Sequence, residues 1–256
     1  MEKSIDLNCD LGESYGIYRL GDDEALLGLV SSANIACGYH AGDPATMRRT
    51  VRLCLEWGVS IGAHPGLPDL AGFGRRTMSV APQEVYDMTV YQVGALLGFV
   101  RSEGGRLAHV KPHGALYNMA AADRGLADAI AEAVQRIDPQ LVLYGLAGSE
   151  LIRAAEARGL RCAAEAFADR TYRPDGMLTP RSESGAVLHD AEEAARQAIS
   201  IAMDGVVHTP AGEQVALAAD TLCIHGDGAQ AALLARHIRQ RLEEAGIAVR
   251  PPVAVR

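Results

Sequence analysis

The sequence predicts an α/β fold, a (β/α) barrel of about seven parallel strands in a single domain spanning residues 1–256. Three observations lead there. Short apolar runs alternate with segments of helical periodicity about seven times. No Pro/Gly-rich linker divides that series, and alternation of this kind argues a parallel sheet with helices outside it. Most of the predicted strands also end on a polar, chemistry-capable residue, as expected where strand ends face one shared crevice. Seven units in one domain favour a closed barrel, and an open doubly wound sheet is the alternative.

Residues 4–11 (SIDLNCDL) alternate in part and suit a first strand. The pleat puts Asp6, Asn8 and Asp10 on one face, with Glu13 just beyond. A short helix over 22–30 leads to strand two, 31–37. Asp43 and Pro44 then read as the cap and first position of a helix that buries Met47, Val51, Cys54 and Leu55 and stops at Gly58. Strand three is 59–64. The stretch after it, LPDLAGFGRRTMSVA, has no helical period, and loops of that length in a compact domain tend to be functional. Pro82 opens the next helix, with Val85, Met88, Leu96 and Val100 among its apolar positions.

The hub is Leu107–Asn118 (LAHVKPHGALYN), where strand four delivers Lys111 and His113 to a tight turn before a helix carrying Leu126 and Ile130. Strand five is 141–146, followed by a helix around Leu151 and Ile152. Strand six, 161–168, contains Glu165. A second long loop precedes a helix near 190–203, and 206–215 reads as a small hairpin. Strand seven, 221–225, runs into Gly226-Asp227-Gly228. The last helix buries Ala231, Leu234, Ile238 and Leu242 and ends at Gly246.

Composition narrows the classes. Hydrophobic residues make up 48% and charged residues 22%, with a formal net charge of −8. Nonspecific nucleic-acid binding needs a basic face, and adjacent Lys/Arg residues go no further than pairs such as Arg75–Arg76. No apolar run approaches the roughly 20 residues of a membrane span, and Met1–Asp6 lacks a signal-peptide core. The five cysteines show no C-x-x-C spacing, which suits a reduced, cytoplasmic setting. There is no Walker phosphate loop and no clear dinucleotide fingerprint.

Asp10, His40, His64, His113, His225 and Asp227 collect at strand ends, so a shared site is expected. His64 and His113 have three readings: metal ligand, base, or structural hydrogen-bonder. With Asp10 they form a candidate divalent-metal set of ordinary imidazole and carboxylate donors, although no H-x-x-x-H spacing supports it. Lys111 is a candidate cation for an anionic intermediate, or a salt-bridge partner. Arg75, Arg76 and Arg170, like Arg173 and Arg181, can hold a carboxylate or phosphate bidentately, or can be solvated loop residues. Glu165 is a candidate base, or one half of a buried ion pair with an arginine. Cys37 and Cys223 are core thiols first and nucleophiles only as a weak second reading.

Six stretches, DLNCDLGE, NIACGYHAGD, IGAHPGLPDLAGFGRR, HVKPHGALYN, Glu165–Arg181 and CIHGD, together resemble the LamB/YcsF family, which is the family of the 5-oxoprolinase A subunit. Leu67 departs from the aromatic more usual there, which bears on loop packing. The resemblance covers essentially the whole chain. It implies a glycoside hydrolase/deacetylase-like barrel and ATP-dependent opening of 5-oxoproline to glutamate, with ATP as co-substrate and the 5-oxoprolinase subunits B and C as partners. In that setting Asp10, His64, His113 and Lys111 are the expected catalytic residues. Asn8, His40, Arg75, Arg76, Glu165, Arg170, His225 and Asp227 are the expected substrate contacts. The alternatives are a metal-dependent deacetylase or amidase acting alone, and a noncatalytic substrate-binding subunit.

Overall fold

The computed structural model describes residues 3–181, 183–224 and 231–252. In chain order its elements are β1 (Ser4–Leu11), α1 (Asp23–Leu27), β2 (Ser32–Ala36), α2 (Pro44–Trp57), β3 (Ser60–His64) and α3 (Pro82–Ser102). Then come β4 (Leu107–Val110), α4 (Gly114–Ala122), α5 (Arg124–Ile137), β5 (Val142–Leu146), α6 (Glu150–Ala157) and β6 (Cys162–Phe167). The chain continues through α7 (Ala191–Asp204), β7 (Val206–His208), β8 (Gln214–Ala216), β9 (Thr221–Ile224), α8 (Ala231–Glu244) and β10 (Ala248–Val249).

Strands β1 through β6 and then β9 pair in parallel, in that order, and β9 pairs back onto β1. The result is the closed seven-strand parallel barrel that the alternation predicts. Strand β10 adds to the early end of β1, and β7–β8 form a separate antiparallel hairpin, as 206–215 suggested.

The alternation along β1 explains the closure. Leu7, Cys9 and Leu11 face the helices and join the main apolar core. Asp6 and Asn8 are fully buried and bond to partners on other strands. Asp6 accepts hydrogen bonds from Ser31 (2.6 Å), Ser32 (2.8 Å), Thr221 (2.6 Å) and Tyr144 (3.1 Å). Burial raises the Asp6 pKa, and these four donors act against it. One layer up, Asn8 donates to Glu165 at 2.9 Å and to Thr221 at 2.7 Å. Asn34 donates to Asn8 at 2.7 Å and receives a 2.8 Å bond from His109 Nε2. The barrel interior is filled by polar layers whose members bond across strands.

Helix α2 follows its sequence signals. The Asp43 carboxylate accepts from the amides of Ala45, Thr46 and Gly16, and Pro44 occupies the first turn. Gly58, at φ 66°, closes the helix in the left-handed region. Met47, Val51 and Cys54 are buried, while Leu55 stays 38% exposed. Slight burial would raise the Asp43 carboxyl, but the bonds from Gly16 and Thr46 bring it down to about 2. A depressed carboxylate stabilises the fold above its unfolded pKa, and the benefit disappears as pH falls through the folded value. Asp43→Ala is therefore expected to cost about 1–2 kcal/mol at pH 7. In urea unfolding the gap to the unmodified chain should shrink between about pH 4 and pH 2.

Three boundaries differ from expectation. Helix α1 is shorter than 22–30, because Gly28 accompanies its end. The hub helix is two helices, broken where Asp123 adopts an extended backbone and caps α5 through Gly125 and Leu126. Strand β10 is too short to announce itself by periodicity.

Candidate functional site

The C-terminal ends of the strands converge as the sequence suggests. Asp10 lies at the end of β1, His64 ends β3, Lys111 and His113 follow β4, and Glu165 lies within β6. A cavity of about 530 Å³ opens above them, with Asp10, His64, Lys111 and His113 in its lining. The loop after β3 contributes Arg75, the loop after β6 contributes Arg170 and Arg181, and Tyr117 and Phe167 add aromatic wall.

The buried Lys111 ammonium is the electrostatic centre. It lies 3.1 Å from Asp10 Oδ1, 2.9 Å from Glu165 Oε1, 3.2 Å from Asn8 Oδ1 and 3.0 Å from Cys223 Sγ. Burial alone would depress its pKa, but the Asp10 and Glu165 carboxylates, with the hydrogen bond to Cys223 Sγ, raise it well above the ordinary value. Asp10 Oδ1 also accepts from Asn34 at 2.9 Å, and Asp10 Oδ2 lies 3.3 Å from His64 Nε2.

Beside this pair stand three histidines. His64 Nδ1 bonds the Lys111 carbonyl at 2.7 Å, and His113 Nε2 bonds the Phe73 carbonyl at 2.8 Å. The other nitrogens of those two rings, His64 Nε2 and His113 Nδ1, are 2.9 Å apart. His40 stacks flat on His113 with ring centroids 3.7 Å apart and is fully buried. Its Nε2 is 3.5 Å from Glu13 Oε1, which is also 3.7 Å from His113 Nδ1. Burial pushes His113 down to about 3, with neighbouring His64 adding to the shift and Asp10 opposing it. His40 is lowered well below its usual value, again first by burial.

Two glycines make this crowding feasible. A Cβ at Gly66 would lie 2.6 Å from His40 Nδ1. A Cβ at Gly74, whose φ is +63°, would lie 2.8 Å from the His40 Cβ and 2.9 Å from His113 Cδ2. Phe73 takes a left-handed φ of 55° just before it, which presents its carbonyl to His113.

The structure sorts the expected residues. Asp10, His64, Lys111 and His113 share the cavity. Asn8 and Glu165 are buried beneath it, holding Lys111. His40 belongs to the histidine cluster. Arg75 lines the cavity, but Arg76 does not, since its guanidinium is tied to Asp69. Arg170 lines the cavity while bonding the Ala186 and Thr179 carbonyls, so it also pins the second long loop. His225 and Asp227 lie outside the described residues. Burial pushes the Cys37 thiol up to about 12 and raises Cys223 well above its usual value despite Lys111, so both are thiols at neutral pH. Among the described residues, the donors grouped closely enough for one metal ion are Glu13, His40, His64 and His113, all within 4.8 Å of one another. Asp10, engaged by Lys111, is not in that group. Glu13 and the Phe73 carbonyl are the members that the sequence did not mark as site groups.

The family model described as LamB/YcsF family matches residues 5–256. The chain belongs to the LamB/YcsF family. A Bordetella pertussis relative, named as the A subunit of 5-oxoprolinase, is 62% identical over 249 residues, covering 97% of this chain and 99% of that one. A Bacillus subtilis relative of the same name is 58% identical, covering 96% and 95%. The solved structure of a lactam utilization protein from Thermus thermophilus is 50% identical, with a TM-score of 0.92 over 96% of this chain and 99% of that one. An Enterococcus faecalis structure at 16% identity and TM-score 0.55 shares the barrel fold alone. Family membership thus agrees with a parallel barrel whose polar groups meet at one end. Among the described residues no helix is long and apolar enough to cross a membrane.

Proposed function

We propose that this chain is the ring-opening subunit of a cytoplasmic 5-oxoprolinase, converting 5-oxo-L-proline to L-glutamate with ATP hydrolysis, in a complex with subunits B and C. The names of relatives at about 60% identity along nearly the whole chain support the substrate class and the partnership. The observation that carries the chemistry is Asp10 held 3.1 Å from a buried ammonium on the wall of the cavity.

A five-membered lactam is a stable amide. Transfer of the ATP γ-phosphoryl group to the lactam oxygen, with loss of the N–H proton, gives a cyclic imidate phosphate and ADP. Asp10 then takes a proton from water as the oxygen adds to the former carbonyl carbon. Lys111 stabilises the negative charge that develops nearby. The C–N bond breaks as nitrogen regains a proton, leaving an acyl phosphate that a second water hydrolyses to glutamate and phosphate. Arg75, Arg170 and Arg181 line the cavity, and they are the cations assigned to the substrate carboxylate and the phosphoryl group. The chain carries no Walker loop, so the phosphoryl-transfer step is assigned to the assembled complex.

Glutamate and ADP should form from 5-oxoproline and ATP only when this chain is mixed with subunits B and C. No turnover from three folded, assembled subunits would reject the proposal. Lactam or N-acetyl cleavage by the chain alone, without ATP and sensitive to chelation, would favour a lone metal-dependent amidase or deacetylase. The Glu13–histidine cluster is the observation behind that second reading.

A further inference from the structure

We infer that Glu13, His40, His64 and His113 form a binding site for one divalent transition-metal ion of the zinc, cobalt, nickel, manganese or ferrous class. Two hydrogen bonds fix the tautomers of the central rings. A backbone carbonyl only accepts, so the proton of neutral His64 is on Nδ1, facing the Lys111 carbonyl at 2.7 Å. By the same logic the proton of neutral His113 is on Nε2, facing the Phe73 carbonyl at 2.8 Å. The remaining lone pairs, on His64 Nε2 and His113 Nδ1, then confront each other at 2.9 Å. Two lone pairs at that distance repel unless a positive charge serves both. Donor atoms so close suit neighbouring ligands of one ion, with metal–nitrogen bonds of about 2.0–2.1 Å.

His40 supplies an independent observation. It is fully buried, and neither ring nitrogen makes a hydrogen bond. A buried polar atom left unmatched is costly, and a native structure rarely keeps two on one side chain without a reason. Its Nε2 lies 3.5 Å from Glu13 Oε1, so the third ring meets the carboxylate of the same cluster. The backbone carbonyls of Lys111 and Phe73 act as outer partners that fix each ring's tautomer, as such partners do around bound metals. A shared proton would also relieve the lone-pair clash. That proton would have Asp10 Oδ2 3.3 Å from His64 Nε2 to balance it, but it would leave both His40 nitrogens unmatched.

Three imidazoles and one carboxylate, with no thiolate and no oxygen cage grouped with them among the described residues, select this class of ion over calcium or magnesium. Such an ion supplies Lewis-acid polarisation or an activated water at the cavity wall. Asp10, kept by Lys111, remains outside the ligand set. The donor set is the same whichever amide is cleaved, and binding rather than turnover tests it.

The chain, stripped with a chelator and shown by far-UV circular dichroism to be folded, is titrated with Zn²⁺, Co²⁺, Ni²⁺, Mn²⁺ and Fe²⁺. Calorimetry, elemental analysis after gel filtration and thermal melting are the readouts. One equivalent of at least one ion should bind and raise the melting temperature, and bound Co²⁺ should give ligand-field absorption. His40→Ala and Glu13→Gln should each weaken that binding at least tenfold, whereas Asp10→Asn should retain it. No stoichiometric binding and no thermal shift with any of the five ions in the folded chain would overturn the inference. So would binding that folded His40→Ala and Glu13→Gln leave unchanged. If either variant does not fold, titration of the unmodified chain still decides.

Discussion

Asp10→Asn is expected to lower glutamate formation by the three-subunit complex about 10²–10⁴-fold, the usual contribution of a positioned general base. Asparagine matches the shape of aspartate. Its carbonyl oxygen can still accept from Lys111 and Asn34, which now bond Asp10 Oδ1 at 3.1 and 2.9 Å. What it loses is the ability to take a proton. The loss should fall on kcat, with KM little changed, because the substrate contacts assigned to the arginines are untouched. Steady-state kinetics with saturating subunits B and C, alongside a melting curve to establish folding, are the measurement. Unchanged turnover from a folded variant would remove Asp10 from the mechanism and return the base to the histidines.

That Asp10 belongs at the mouth was legible from the pleat. Asp6, Asn8 and Asp10 alternate with Leu7, Cys9 and Leu11, and a strand with one polar and one apolar face must turn the polar one somewhere defined. The βα alternation pointed to the barrel for a similar reason, since parallel strands with intervening helices have few ways to bury both surfaces. Glu13 was harder to read. It lies beyond the strand, past Gly12 at φ 68°, and only the turn there carries it back to His40. The Phe73 and Lys111 carbonyls leave no side-chain signature at all, yet they set the tautomers of His113 and His64. The arginines divide for the same kind of reason. Arg75 and Arg76 are adjacent and chemically equivalent, and it is Asp69, seven residues before Arg76, that ties down one of them. Glu165 was open as a base or the partner of a buried arginine; its Oε1 lies 2.9 Å from Lys111, so its partner is a lysine that the strand pattern alone did not pair with it.

Lys111→Met should be the most destabilising single change in the site, by about 3–5 kcal/mol, as when one partner of a buried ion pair is removed. Methionine nearly fills the space of the lysine stem but brings no charge. Glu165 is fully buried and would lose the ammonium at 2.9 Å, keeping Asn8 as the side chain donating to Oε1. Asp10 would lose the same cation but is partly open to the cavity, so most of the cost should reside on Glu165. Adding Glu165→Gln to Lys111→Met should therefore recover stability, while Asp10→Asn in its place should recover less. Urea unfolding of the single and double variants at pH 7 separates these terms as a double-mutant cycle. The wild-type contribution also has a pH sign. The folded-state pKa of Lys111 is raised, so its stabilisation is complete below the unfolded lysine value of about 10.4 and declines only as pH rises above it. The deficit of Lys111→Met should thus stay constant from neutral pH to about pH 10. If Lys111→Met instead proved as stable as the parent chain, the buried ammonium would hold no structural weight. Its place between Asp10 and Glu165 would then be accounted for by catalysis alone.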